Sequence, residues 1–284
     1  MACESQTQHT LAGEVELAGI GVHSGRPTRL RVLPGQADSG LRFRRIDLPG
    51  APEIPATLDY VQTSQMNRRT SVGLDASVLV STVEHLLAVC FALGVDNAVF
   101  EADGEEMPFL DGSAGPIARA CTERGLVEQD RPRRSYDLKS PVIFNRYPVQ
   151  IIALPLESLR VTYFLEFDNA VIRTQAGHFE ITPQVFLTEL APARTFCFER
   201  DVARLQAQGL IRGGSLDCAV VIGEDRILND SLRFPDELVR HKVVDLLGDL
   251  CLLGKPLRAH ISAWRAGHSW HVEFLKNLRE ALCS

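Results

Sequence analysis

The architecture of this chain turns on one stretch, "FPDELVRHKVVDLLGDLCLLG", residues 234–254. As a helix it is apolar almost all round, through Leu238, Val239, Val243, Val244, Leu246, Leu247, Leu250, Leu252 and Leu253. One stripe differs: His241, Asp245 and Asp249 succeed each other at steps of four. Residues four apart lie one above the other on a helix face. A helix apolar on its other faces is buried, so an imidazole and two carboxylates in one row need a chemical reason to be there.

The helix is expected from about Asp236 to Leu253. It is followed by a strand, "LRAHISAWRA", and a last helix in "GHSWHVEFLKNLREAL". The tract 81–124 has the same order: a helix in "STVEHLLAVCFALG", a strand in "NAVFEAD", and a helix after "FLDGSAGP" starting near Ser113. Alternating segments closed by turn residues precede each tract: "EVELAGIGVHSG", "TRLRVLPG" and "GLRFRRID" the first, "SPVIFN", "VQIIALPL" and "LRVTYFLEF" the second. The repeated order points to a duplicated α+β unit, helices packed on a mostly antiparallel sheet, twice. "EQDRPRRSYD" at 128–137 is charged and contains proline, the composition of a linker. The expected domains are therefore 1–129 and 130–284. Ser81 and Glu84 form a capping-box pattern, which predicts a helix from near Ser81 to near Gly94. "TPQVFLTEL" predicts a short helix with Pro183 in its first turn; "ERDVARLQAQGL" predicts another, and "DCAVVIG" a buried strand.

With 284 residues, the chain can bury about three quarters of its unfolded surface and needs no covalent staples. A net charge of -6 argues against a sequence-independent nucleic-acid binder, which needs a basic face. "MACESQTQHT" lacks the basic start and apolar core of an export leader, and no run approaches the roughly 18 apolar residues of a spanning helix. The seven cysteines are scattered, with no CxxC. They read as reduced core residues of a cytoplasmic protein, not as disulfides or a cysteine-rich zinc site.

His241 and Asp245 can reach one divalent ion from one helix side, and zinc is the usual occupant of mixed nitrogen and oxygen sites. A third ligand must come from elsewhere, and His85, beside Glu84, is the best candidate. Two histidines and an aspartate leave one position for water, whose proton Glu84 could take. Spacing leaves other readings open. Glu84 serves equally as the capping-box acid, His85 as a packed core histidine, Asp249 as a solvated residue. His268 comes after Gly267 at a loop-to-helix turn, where it can protonate a leaving amine, with Asp249 as the carboxylate that raises its pKa. His271, His178 and His9 read as surface histidines. Gly213-Gly214-Ser215 is either a turn or a place where a ligand nears the backbone.

Together, "GIGVHSG" (19–25), "GLRFRRID" (40–47), "VSTVEHLLA" (80–88), "GVDNAVFE" (94–101), "PFLDGSAGP" (108–116), "ARTFCFERD" (193–201), "GLIRGGSLDCAVV" (209–221), "LRFPDELVRHKVVDLLGDL" (232–250) and "AGHSWH" (266–271) resemble the UDP-3-O-acyl-N-acetylglucosamine deacetylases, zinc enzymes of the committed step of lipid A synthesis. The resemblance implies an α+β fold of two similar domains forming a two-layer sandwich, with the zinc site between them. It places the zinc ligands on His85, His241 and Asp245, the general base on Glu84, and the general acid on His268 held by Asp249. Thr195 falls on the threonine that helps polarise the substrate carbonyl. Lys242 and Phe196 fall on substrate contacts, and Gly214 and Ser215 in an inserted segment lining the acyl-chain passage. Asp201 and His23 match motif positions too. The segment "QTSQMNRRTSVG" (62–73) departs from the family's commonest Asp-Thr form, with a polar Asn67-Arg68-Arg69, in a loop that in the family lies near the metal cleft.

The reaction expected from this resemblance is hydrolysis of the N-acetyl group of a UDP-linked acylated amino sugar, giving acetate and a free 2-amino sugar nucleotide. Either His268 or Glu84 itself protonates the amine. The enzyme is expected to be a cytoplasmic monomer with no nucleic-acid partner and no stable membrane insertion. The competing classes are a zinc hydrolase of another amide or ester with the same ligands and a different cleft, and a metal-stabilised binding module without catalysis.

Overall fold

The computed structural model describes residues 7–66 and 68–283. Cys3, Asn67 and the first six residues of "MACESQTQHT" lie outside the described residues. The first half runs β1 (Thr7–Leu11), β2 (Val15–Ile20), β3 (Pro27–Pro34), β4 (Leu41–Arg45), β5 (Glu53–Pro55), β6 (Ser71–Gly73), β7 (Leu79–Ser81), α1 (Glu84–Leu93), β8 (Ala98–Ala102), α2 (Gly115–Arg124) and β9 (Leu126–Pro132). The second half runs β10 (Tyr136–Asp137), β11 (Val142–Arg146), β12 (Val149–Pro155), β13 (Leu159–Glu166), β14 (Thr174–Glu180), α3 (Pro183–Val185), β15 (Phe196–Phe198), α4 (Glu199–Ala207), β16 (Val220–Ile222), α5 (Glu237–Cys251), β17 (Leu257–Trp264) and α6 (His268–Cys283).

Two larger sheets carry the architecture, ordered β2-β3-β8-β4-β5 and β11-β12-β17-β13-β14, with β10 also paired to β17. They share a topology. In each, the strand after the main helix sits in the centre. It is antiparallel to the second strand of one hairpin (β3, β12) and parallel to the first strand of the other (β4, β13). The expected duplication is thus a match of strand order and direction. Each sheet is one-sided, as alternating sequences require. On β17, Leu257, Ala259, Ile261 and Ala263 are buried while Arg258, His260, Ser262 and Trp264 are not.

The inner faces are covered by α1 and α5, which pack on each other. Leu86 and Leu87 of α1 and Val243, Val244, Leu246, Leu247 and Leu250 of α5 have essentially no exposed surface. Their crossing is close because residue 248 is glycine: a Cβ there would overlap the Glu84 carbonyl oxygen. β15 and β16 pair in parallel and are joined through α4, a small unit set into the second half.

Three sequence expectations are corrected. The first helix starts at Glu84, not near Ser81: Ser81 is the last residue of β7, paired with Ser71. The chain then turns through Thr82 at φ 59°, a left-handed conformation that a helix cannot continue through. The α1 N-cap is Val83, with no side-chain cap, so the Ser81–Glu84 capping box does not form. The segment 128–137 is not a free linker. β9 runs through it to Pro132 against β1, and Tyr136–Asp137 pairs with β17. The described cysteines are all free, but Cys283 is exposed and Cys197 only half-buried, because they lie at a chain end and in the β15 unit rather than in the main core.

Candidate metal centre

α5 presents His241 and Asp245 one turn apart, and α1 presents His85 from its first turn. His241 Nε2 is 3.3 Å and His85 Nε2 3.9 Å from Asp245 Oδ1. One donor atom from each of the three lies within 4.8 Å of the others, and the two imidazoles meet edge-to-face with centroids 5.0 Å apart. His241 Nδ1 lies 3.1 Å from the Ala193 carbonyl oxygen. A carbonyl only accepts, so Nδ1 carries the proton and the Nε2 lone pair faces the other donors. Burial lowers both imidazoles, His85 to about 3 with His241 pushing the same way, so both are neutral, the form that binds metal. Burial would raise the Asp245 carboxyl, but the Lys242 ammonium and the histidines hold it far below the usual carboxylate range. Lys242 Nζ donates to Asp245 Oδ2 at 2.7 Å. Two neutral imidazoles and one ionised carboxylate, convergent beside a cavity, fit a divalent ion that keeps an open position.

Beside this set lie groups suited to proton transfer. Burial pushes the Glu84 carboxyl up to about 7, against the His268 charge that pulls it down. His268 Nε2 is 4.0 Å from Glu84 Oε1 and 3.7 Å from Asp245 Oδ2. Its Nδ1 donates to Asp249 Oδ2 at 2.8 Å. Burial alone would lower the His268 imidazole; Asp249, Asp245 and Glu84 outweigh it and hold it at about 9. Asp249, fully buried, stays ionised. Burial raises it, but His268 and the hydrogen bonds from His268 and His271 bring it to about 2. The α5 stripe therefore splits: His241 and Asp245 face the convergent donors, and Asp249 faces His268. Glu84 near 7 and His268 near 9, next to a metal-competent donor set, are two groups whose surroundings push their pKa values in ways suited to proton transfer.

A family model described as "LpxC: UDP-3-O-acyl N-acetylglycosamine deacetylase" matches residues 8–280. The chain belongs to the UDP-3-O-acyl-N-acetylglucosamine deacetylase family. It is 43% identical over 274 residues to the protein of that name from Thermosynechococcus vestitus, covering 96% of this chain and 94% of the relative. A relative of the same name from Nostoc sp. is 41% identical, with 95% and 98% covered. One from Anaeromyxobacter sp. is 43% identical, with 95% and 88% covered.

In this member of the deacetylase family the convergent donors open into a cavity of ≈ 910 Å³. Thr195, Phe196, Gly214, Ser215 and Lys242 all line it, as do Glu84, His85, His241, Asp245 and His268. Its lining also includes the apolar side chains of Val202, Ala203, Leu216, Val221 and Leu228, from the β15–α4–β16 unit and its flanks. Thr195 is fixed by its backbone, donating to the Gly112 carbonyl at 2.9 Å and accepting from Val220 N at 2.8 Å. Gly213 is needed for close packing: a Cβ there would meet the Gly21 carbonyl oxygen at 2.5 Å. The Gly-Gly-Ser segment is thus, at Gly213, a backbone contact, and at Gly214 and Ser215 a cavity wall. His23 is buried on the same wall, and burial, with Arg69 and Arg68 nearby, lowers it to about 4. Asp201 instead pairs with Arg68 at 2.8 Å and with Arg204 at 3.0 Å.

Three residues of the site escaped the sequence reading. His271, read as a surface histidine, has no exposed surface and donates from Nδ1 to Asp249 Oδ2 at 2.7 Å. Its spacing of three from His268 on α6 was the available signal. Thr70 is completely buried; its N–H donates to Glu84 Oε2 at 3.0 Å and its hydroxyl to Asp249 Oδ1 at 2.6 Å. Asp249 is 179 residues away in sequence, so no local pattern could show it. Glu237, also without exposed surface, accepts from Arg194 N and Nε, both at 2.9 Å, and from Arg233 N at 2.7 Å. An acid in a first helical turn reads only as a favourable partner of the helix dipole.

Proposed function

We propose that the chain is a zinc-dependent amide hydrolase that removes the N-acetyl group of UDP-3-O-acyl-N-acetylglucosamine in lipid A synthesis. The observation that carries this reading is the convergence of His85, His241 and Asp245 beside Glu84 and His268 on a cavity that is also lined by apolar side chains. Membership of the deacetylase family supports the substrate. His85 Nε2, His241 Nε2 and an Asp245 oxygen would hold zinc. A bound zinc supplies Lewis acidity and lowers the pKa of water toward about 7.

The remaining work belongs to the side chains. Glu84, poised near neutrality, takes the proton of the attacking water, and burial strengthens it as a base. His268, cationic at neutral pH, hands its Nε2 proton to the departing amine, and its charge steadies the tetrahedral oxyanion before that. Asp249 fixes the His268 ring and keeps the proton on Nδ1. Thr195 offers a hydroxyl to the carbonyl oxygen. Lys242 keeps Asp245 ionised while its stem borders the sugar. The acyl chain packs on the cavity's apolar side chains, beside Gly214 and Ser215, which excludes water from one side of the reaction.

Deacetylation assays on the UDP-sugar with and without its 3-O-acyl chain test this reading. The acylated substrate should turn over faster by orders of magnitude; equal rates would point to another amide as substrate. Glu84→Gln should keep its zinc and lose on the order of 10²–10⁴-fold in rate. If it retains full activity, the chain does not use Glu84 as a base.

A further inference from the structure

We infer that Thr70 is a positioning residue that locks the base and the acid-orienting carboxylate into one geometry. The inference rests on the proposed deacetylase reading. Thr70 stands between the two proton-transfer groups and holds a different part of each. Its backbone N–H donates to Glu84 Oε2 at 3.0 Å, which leaves Oε1 as the oxygen nearer His268, 4.0 Å from Nε2. Its hydroxyl lies 2.6 Å from Asp249 Oδ1 and 3.0 Å from His268 Nδ1.

Proton counting fixes the direction of these bonds. Ionised Asp249 can only accept, so the single hydroxyl proton of Thr70 goes to Oδ1. The Thr70 oxygen then has only lone pairs to offer His268 Nδ1, which must carry its own proton. That proton is shared between Asp249 Oδ2, at 2.8 Å, and Thr70 Oγ1. Thr70 thus adds to Asp249 in excluding the tautomer with a bare Nδ1, and leaves Nε2 as the nitrogen facing Glu84 and Asp245. The residue is also tied to the start of α1, since Val83 N donates to the Thr70 carbonyl at 3.3 Å. One residue therefore joins the loop before β6, the first turn of α1, the α5 stripe and the first residue of α6. A side chain whose only task was to fill space would need no hydroxyl, and none could sit there unpaired without cost.

The decisive comparison is Thr70→Val with Thr70→Ser. Valine keeps the shape and the backbone N–H but removes the hydroxyl; serine keeps the hydroxyl. Thr70→Val should lower kcat on the order of 10–100-fold, leave KM within about twofold and keep the wild-type zinc content. Thr70→Ser should restore kcat to near wild type. A second measurement needs no turnover: the His268 Nδ1–H proton resonance, identified by its loss in His268→Ala, should move in Thr70→Val and stay in place in Thr70→Ser. The inference is overturned by a Thr70→Val kcat within twofold of wild type, by an unmoved resonance, or by a tenfold loss in Thr70→Ser, which also decides the matter if the valine variant does not fold. A wild-type chain without deacetylase activity would overturn the functional reading alone, since the resonance still reports on Thr70.

Discussion

The α-carbon of Gly248 lies against the backbone of Glu84: a Cβ added to Gly248 would overlap the Glu84 carbonyl oxygen. Gly248 sits on α5 between Asp245 and Asp249, so the contact brings Glu84 of α1 level with the two carboxylates of α5. Gly248→Ala forces a Cβ against the Glu84 backbone, which no rotamer can relieve. Overpacking of this kind costs about 1–3 kcal/mol. The expected outcome is a lowered denaturation midpoint together with a fall in kcat larger than the stability loss explains, because the two halves of the site are pushed apart. Thermal unfolding and steady-state rates on the same preparation measure both.

On the proposed mechanism the pH profile is set by two groups acting in opposite protonation states. Glu84 works deprotonated, so the rate should rise with pH through about 7; His268 works protonated, so the rate should fall through about 9. A bell with its top between those values is expected. In His268→Ala the basic limb should disappear. The acid limb should also move upward, because the His268 charge is the largest influence holding Glu84 down. A basic limb unchanged from wild type would remove His268 from the role of acid.

Metal removal separates holding from chemistry. Chelation should abolish turnover and added zinc should restore it. His241→Ala should lose bound zinc, measured by elemental analysis, because Asp245 and His85 alone cannot complete the set. Activity surviving in a zinc-free preparation would refute the proposed mechanism.

His271→Phe tests the second imidazole on Asp249. An aromatic ring is kept and the Tyr163 hydroxyl still donates to the Ala266 carbonyl at 2.8 Å, but Asp249 Oδ2 loses a donor. A cost of about 1–3 kcal/mol in stability is expected from an undersatisfied buried acceptor, read by urea titration. The catalytic loss should be smaller than in His268→Ala, since His271 Nε2 faces Tyr163 at 3.1 Å rather than the cavity donors.

Glu237→Gln breaks a buried ion pair with Arg194. Removing one member of such a pair costs about 3–5 kcal/mol. Arg194 lies between Ala193, whose carbonyl receives the His241 proton, and Thr195. Activity and zinc retention should therefore fall with stability, and urea midpoints with and without added zinc would show whether the loss is linked to metal binding.

Much of this molecule was legible in linear form because its signals are local. Helical spacing on 234–254 exposed the His241–Asp245–Asp249 stripe, alternation gave the strands, and the repeated element order gave the doubled unit. Glu84 beside His85, and the Gly-His turn at 267–268, were recognisable as motifs. The errors came where local and tertiary demands compete. Ser81 and Glu84 have capping-box spacing, yet Ser81 belongs to a strand and Glu84 turns its carboxylate to the Thr70 N–H. Residues 128–137 have a linker's composition, yet the two ladders they join need their hydrogen bonds.

The sequence by itself determined which residues have chemistry to offer and which elements carry them, because periodicity and residue type act over a few positions of chain. Only the tertiary structure decided how they are brought together. The family resemblance already implied that Asp245 joins the histidines and Asp249 meets His268; the crossing of α1 and α5 at Gly248 is the packing that brings those partners within reach. That His271 is buried, and that Thr70 touches Glu84, Asp249 and His268 together, depends on contacts between residues far apart in the chain. Those contacts form because buried polar groups must find partners wherever the fold brings them, and distance along the chain does not limit that search.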